Sequence, residues 1–208
     1  MARLSGPMFS LDASGKFGGS MVFSKWKGRN YSRQLVTPKN PKSAMQTGVR
    51  SMMKFLSQAW ASIGSTPQGS YAADAASKQI SPFNSFMGIN LGRWQNFFGP
   101  SQETPAAGAS TPLTVTTMGL TGGEGNCTIE LTPSGATSIW GFMIFRDTAE
   151  ITAPSWANCV AVIPADGANA VTYVDSPLAA GTYHYRAAAF NVDGVMGTVK
   201  ADDSEAVT

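Results

Sequence analysis

The 208-residue chain is short of charge: Asp, Glu, Lys and Arg make up 13% of it, about half the usual quarter. It has one histidine, His184, and two cysteines, Cys127 and Cys159. No CxxC pair and no Cys/His cluster can be drawn from so few, which excludes the familiar zinc-ligand patterns. One histidine leaves one place for Ser-His-Asp catalysis, and no nucleophile-elbow sequence accompanies it. There is no Walker A loop and no HExxH. The glycines of Gly15-Lys16-Phe17-Gly18-Gly19 are too few and too poorly spaced for a dinucleotide fingerprint. No enzyme activity, cofactor or metal is therefore expected. No apolar run approaches the roughly 18 residues of a membrane span, so no membrane partner is expected. Met1 is not followed by a charged-then-apolar leader. The chain is expected to stay in a cytoplasm unless it leaves inside a larger particle.

What is present is ordinary globular material: 43% apolar and 10% aromatic residues, too many aromatics for a disordered chain. The length fits two domains of about 100 residues. The small net charge, +2, hides a division. Residues 1–100 carry twelve Lys/Arg against two acids, Asp12 and Asp74, a net of +10. Residues 101–208 carry three, Arg146, Arg186 and Lys200, against eleven acids, a net of −8. Halves of opposite sign suggest surfaces with different partners. The two cysteines read as buried free thiols, since small free Cys is usually core; the alternative is a bridge between two strands.

Along the chain, Ser20 to Val36 reads as a β-hairpin whose turn is Lys27-Gly28-Arg29-Asn30. Thr37-Pro38-Lys39-Asn40-Pro41 breaks the strand. A helix is expected next, capped by Asn40 with Pro41 in its first turn. Met45, Val49, Met52, Met53, Leu56, Trp60 and Ile63 form its stripe, and Gly64 and Pro67 end it. A second helix is expected over Tyr71–Gln79 and a last helical turn over Leu91–Phe98. Residues 99–111 lack a large apolar side chain and are rich in Pro, Gly and small polar residues, the composition of a linker. Seven strands are then expected at 113–118, 126–132, 139–146, 157–163, 169–175, 181–190 and 195–201. Asp202-Asp203 is expected in a frayed tail.

The run Leu178-Ala179-Ala180-Gly181-Thr182-Tyr183-His184-Tyr185-Arg186-Ala187-Ala188-Ala189-Phe190-Asn191-Val192-Asp193-Gly194 resembles the late strands of a fibronectin type III domain. The resemblance implies a tyrosine corner at Tyr183, its hydroxyl returning to backbone near the preceding turn. Tyr185, Ala187 and Ala189 share its face by period two. The family's core Trp is replaced by Cys127, Ile129 and Leu131 on the corresponding strand, which leaves immunoglobulin-like relatives open. The expected fold class is an α+β N-terminal module, a β-hairpin plus helices over 1–98, then a linker over 99–111. An all-β fibronectin-III/Ig-like sandwich over 112–208 completes it.

Ala13 to Arg33, followed by Pro38 to Arg50, resembles a module of tailed-bacteriophage virion proteins. The marks are the glycine-flanked Gly15-Lys16-Phe17-Gly18, the Lys27-Gly28-Arg29 turn, the Asn40-Pro41 helix entry and the Gln46…Arg50 pair. Trp60 and Phe83-Asn84-Ser85-Phe86-Met87…Asn90 fit as well. The resemblance implies a virion location, other virion proteins as partners, and a homo-oligomer.

Lys16, Lys25, Trp26, Lys27, Arg29, Tyr31 and Arg33 form the candidate interface, cations interleaved with aromatics. Arg, Trp and Tyr are the residues that anchor protein interfaces. The plainer alternative is a solvated cationic face over a buried aromatic one. The expected function is a capsid decoration or minor capsid protein docking through this basic half. The alternatives are a tail, collar or baseplate protein with the same parts, a nucleic-acid-binding protein using phosphate contacts and stacking, and a host-surface glycan-binding module with Trp140 or Trp156 as platforms.

Overall fold

The computed structural model describes residues 2–3, 14–37, 43–108, 114–134, 139–167 and 169–208. The chain divides into two compact units, Met1–Pro41 and Lys42–Thr208.

The first unit is a four-stranded antiparallel sheet of β1 (Ala2–Arg3), β2 (Gly15–Phe17), β3 (Met21–Trp26) and β4 (Arg29–Gln34), in the order β1-β4-β3-β2. The β3–β4 turn is shorter than the sequence suggests. Lys25 pairs with Asn30 and Trp26 with Arg29, so Lys27 and Gly28 alone make it, at φ 47 and 76. Two consecutive positive φ values match the right-handed strand twist in a two-residue hairpin. Among the described residues of this unit only Ser32 is buried, and no apolar side chain is.

The second unit opens with three helices, α1 (Ala44–Ser62), α2 (Ser65–Lys78) and α3 (Pro82–Gln95). The expected cap Asn40 and first-turn Pro41 lie outside the described residues. α1 buries Gly48, Met52, Phe55, Leu56 and Ala59. The apolar stripe is therefore rotated from the one read in sequence, and Met45 and Met53 face solvent. Pro67, expected to end α1, instead lies in the first turn of α2, where its missing N–H costs nothing. α3 is continuous over Pro82–Gln95, longer than the expected last helical turn over Leu91–Phe98. The Ser81 hydroxyl accepts from Asn84 N at 3.2 Å and Pro82 occupies the first turn.

Two antiparallel sheets complete the unit. One contains β11-β10-β7-β8, with β7 Ile139–Asp147, β8 Cys159–Pro164, β10 Gly181–Asn191 and β11 Asp203–Val207. The other contains β5-β6-β9, with β5 Val115–Gly123, β6 Asn126–Pro133 and β9 Val171–Asp175. Six expected strands overlap these. The seventh does not: the strand is Asp203–Val207, inside the stretch read as a frayed tail, and residues 195–201 form backbone bonds without being a strand.

The four-stranded sheet is covered on both faces. Cys127, Ile129, Leu131, Phe142, Ile144, Tyr185, Ala187 and Ala189 form a core shared with the three-stranded sheet. Met143, Phe145, Ala188 and Phe190, on the opposite face, form a second core with Met52, Phe55, Leu56, Phe86 and Trp94 of the helices. This overturns the expected fold class. The helices do not form an α+β module with the N-terminal hairpin. They make a third layer on the four-stranded sheet, and no all-β fibronectin-III/Ig-like sandwich stands apart from them. The physical reason is apolarity on both strand faces: Phe142-Met143-Ile144-Phe145 is buried throughout, the pattern of a strand covered on two sides.

Two devices join helices to sheet. Gly48 lets α1 press against β8, since a Cβ there would lie 2.0 Å from the Cys159 carbonyl oxygen. Three residues on, the Ser51 hydroxyl accepts from Val162 N at 2.8 Å and donates to Val162 O at 3.1 Å, closing the β8 edge.

The expected linker runs within the second unit, and its described residues 99–108 begin as a clamped strap. Asn90 accepts from Ser101 N at 2.7 Å and donates to Ser101 O at 3.0 Å and to the Tyr71 hydroxyl at 3.2 Å. That hydroxyl donates to Ser101 O at 2.8 Å, and burial pushes its pKa up to about 12. Arg93 donates to Gly99 O and to Gly194 O, both at 2.8 Å. Composition reads this strap as a linker because its bonds come from helices and a turn distant in sequence.

Candidate functional site

The register of the N-terminal sheet sorts its side chains onto two faces. Lys16 pairs with Val22 and Val22 with Arg33; Ser24 pairs with Tyr31, and Trp26 with Arg29. Residues paired across strands share a face, and alternate residues along a strand return to it. One face thus carries Lys16, Val22, Ser24, Trp26, Arg29, Tyr31 and Arg33. The other carries Gly15, Phe17, Met21, Phe23, Lys25, Asn30, Ser32 and Gln34.

Five of the seven candidate interface residues, Lys16, Trp26, Arg29, Tyr31 and Arg33, lie together on the first face. Lys25 does not: it lies on the opposite face, because it is one residue out of phase with Trp26. Lys27 belongs to neither, since it sits in the turn. Its Nζ lies 4.9 Å from the centroid of the Trp26 ring, close enough for a cation–π contact at the tip of the hairpin. Trp26 is 66% exposed, and Lys16, Arg29 and Arg33 are exposed as well. Residues 1–41 hold seven Lys/Arg and one acid, Asp12. The arrangement is a shallow cationic surface with an indole at one end and no described acid to neutralise it.

The other sequence candidates are occupied by the fold. His184 is on the face opposite Tyr183 and Tyr185, as strand alternation requires, and its Nδ1 lies 2.7 Å from Asp202 Oδ2. Asp202 also accepts from Ile151 N at 3.1 Å, so this acid ties two loops to β10. Asp175 is buried, and Arg146 donates to it at 2.7 Å and the Tyr185 hydroxyl at 3.2 Å. Burial, with the Asp175 charge behind it, raises the Tyr185 pKa and keeps the phenol protonated. The Tyr183 hydroxyl donates to Ala179 O at 3.1 Å, the backbone return expected of it.

Cys127 and Cys159 are buried free thiols, and burial pushes Cys159 up to about 12. Trp140 packs edge-on against Phe55 at 5.1 Å and Phe190 at 6.1 Å, while Trp156 packs against Trp94 at 6.0 Å. Both candidate platforms are thus engaged in the helix–sheet core. Trp140 also borders a cleft of about 160 Å³ lined by Phe55, Gln58, Ala59, Ser62 and Pro164. Among the described residues no group of three His, Cys, Asp or Glu side chains could hold a metal ion, and no helix is long and apolar enough to cross a membrane.

No family model and no curated protein matches the chain. Among solved structures, a beta-1,2-glucanase from Parabacteroides distasonis aligns with a TM-score of 0.38 at 16% identity, over 48% of this chain and 13% of its own. A family 76 glycoside hydrolase from a bovine Bacteroides thetaiotaomicron strain aligns with a TM-score of 0.35 at 13% identity, over 45% and 20%. The chain spans at most a fifth of either structure, and at these scores the likeness carries no argument about fold or chemistry.

Proposed function

We propose that this chain is a non-catalytic structural protein of a tailed-phage virion, a capsid decoration or minor capsid protein that docks on an acidic protein lattice. Docking uses the basic, aromatic face of the N-terminal sheet. The observation that carries this reading is the exposure of that face on a unit with no described buried apolar side chain. A lone sheet without a second layer is marginal in water. A partner surface would supply the missing layer. Covering Trp26 alone would contribute about 1.5–3 kcal/mol, by the general scale for a large apolar side chain. Arg29, Arg33 and Lys16 would steer the encounter toward an acidic partner and make it sensitive to salt. The resemblance of residues 13–50 to virion modules supplies the identity of that partner.

The test is co-sedimentation of the purified full chain with empty heads, and separately with tails, of the phage that encodes it. Binding to heads at low salt, weakened at high salt and by Arg29→Glu with Arg33→Glu, is the expected result. Binding to tails alone would move the protein to the tail, collar or baseplate. Salt-dependent binding to single-stranded DNA, with binding to neither particle, would sink the docking reading and favour nucleic acid.

A further inference from the structure

The cleft beside Trp140 lies within the 42–208 unit, where the last turns of α1 meet the ends of β7 and β8. Phe55, Ala59, Trp140 and Pro164 give it an apolar lining, and Gln58 and Ser62 give it a polar one. None of the six is charged. We propose that this cleft is a carbohydrate site that takes one neutral pyranose ring of a glycan.

Size limits the ligand first. The cleft holds about 160 Å³. A cavity of about 150 Å³ takes one six-membered ring, whereas drug-sized ligands occupy roughly 300–1,000 Å³.

The lining then selects among ligands of that size. A charged ligand would lose hydration without meeting a counter-charge. A purely apolar ring would cover the Gln58 amide and the Ser62 hydroxyl without pairing them, which is unfavourable. A pyranose carries apolar C–H groups on the faces of its ring and hydroxyls around its rim. The C–H groups suit the aromatic lining, and the hydroxyls suit neutral donors and acceptors. The Gln58 side chain bonds to no described residue, so its amide offers both a donor and an acceptor. The Ser62 hydroxyl donates to Ala59 O at 2.8 Å, which leaves its oxygen to accept from a sugar hydroxyl.

The walls are held in place by the fold. Trp140 packs against Phe55 and Phe190, and its carbonyl accepts from Ala165 N at 3.1 Å. The two bonds between Ser51 and Val162 fix α1 on β8. A preorganised site loses little entropy on binding. A single ring still makes few contacts, so the expected dissociation constant is about 1 mM or weaker. The inference does not rest on docking through the N-terminal sheet, because it uses residues of the other unit.

The experiment is a titration of the full chain followed by nitrogen–proton NMR, reading the Gln58 side-chain amide and the Trp140 indole N–H. The probes are the methyl glycosides of glucose, galactose and mannose, and N-acetylglucosamine, each to about 50 mM, well above the expected constant. At least one should shift both signals and saturate. Gln58→Ala should weaken that binding by about three- to tenfold, the effect of one neutral hydrogen bond. Ser62→Trp, which fills the cleft, should abolish it. Arg29→Glu with Arg33→Glu should leave it unchanged. Both cleft substitutions are at exposed helix positions, and an unchanged unfolding midpoint excludes misfolding as the cause of a loss. Absence of a saturable shift with all four sugars overturns the proposal. So does binding that survives Ser62→Trp, which would place the sugar elsewhere. Shifts produced by N-acetylproline methylamide and by none of the sugars would overturn it too, and assign the cleft to a protein side chain.

Discussion

The N-terminal sheet and the 42–208 unit are built to different standards. The larger unit buries two apolar cores, one between its sheets and one between sheet and helices. Asn90 is paired there with Ser101 and Tyr71, and Asp175 with Arg146 and Tyr185, while Trp94 Nε1 and Arg186 Nε are buried without a hydrogen-bond partner. The N-terminal sheet has the hydrogen bonds of a sheet, but among its described residues Ser32 alone is buried. A ladder without a covered face contributes little net stability, because each bond replaces one with water. The contrast teaches that one chain can join a body with two packed cores to a sheet whose described side chains are almost all accessible.

The largest expected effect comes from cutting the two apart. Residues 42–208 alone should unfold cooperatively with a midpoint close to that of the full chain, whereas residues 1–41 alone should show no sheet signal by circular dichroism. An isolated 1–41 that holds its sheet as a monomer would break the comparison. Next is Gly48→Val, which should cost about 3 kcal/mol or more in denaturant unfolding, because the added carbons would occupy the place of the Cys159 carbonyl. Asn90→Ala follows at about 2–4 kcal/mol, since it leaves Ser101 N without its acceptor in a buried site and Ser101 O with the Tyr71 hydroxyl alone. Protease nicking between Gly99 and Gly108 should rise with it, reading the strap directly.

A smaller effect sharpens the electrostatic side. The Ser85 hydroxyl first, and Lys78 second, hold Asp74 below its ordinary value of 3.8. A depressed carboxyl stabilises the fold fully above its unfolded value, and that contribution is lost as pH falls through the folded value. Asp74→Asn should therefore lower the unfolding midpoint near neutral pH, and the difference should close on acidification below 3.8. The smallest effect is Trp26→Ala: within about 0.5 kcal/mol on the stability of the free chain, yet a clear loss in particle docking. A large drop in stability would mean that Trp26 is already covered in the free protein.

Local features were legible in the chain because they rest on neighbours in sequence. The turn expected at Lys27-Gly28-Arg29-Asn30 is there, though its first two residues alone make it, and six of the seven expected strands overlap observed ones. Misreadings fell where a distant residue decides. Of the expected α1 stripe Met45, Val49, Met52, Met53, Leu56, Trp60 and Ile63, the residues Met52, Leu56 and Ile63 are buried but Met45 and Met53 are exposed, and the buried side also takes in Gly48, Phe55 and Ala59 because β8 lies there. Small residues look neutral in a hydrophobic pattern and matter only once a neighbouring backbone arrives. The signal that the four-stranded sheet has two covered faces was present in Phe142–Phe145 and Ala187–Phe190, apolar at every position. Of the candidate interface, cations and aromatics were visible together, but their division into two faces needed the strand register. One residue of phase separates Lys25 from Trp26.

The sequence by itself determined the alternation, the turns, the helix-forming segments and the sign of charge in each half, since all of these follow from residue type and spacing along one chain. Only the tertiary structure decided that the helices belong with the sheets, that residues 99–101 are a clamped strap, and that Lys16, Arg29 and Arg33 of the N-terminal sheet face away from Phe17, Met21 and Phe23. Those outcomes depend on which surfaces meet, and burial is a property of a pair of surfaces that neither segment encodes alone.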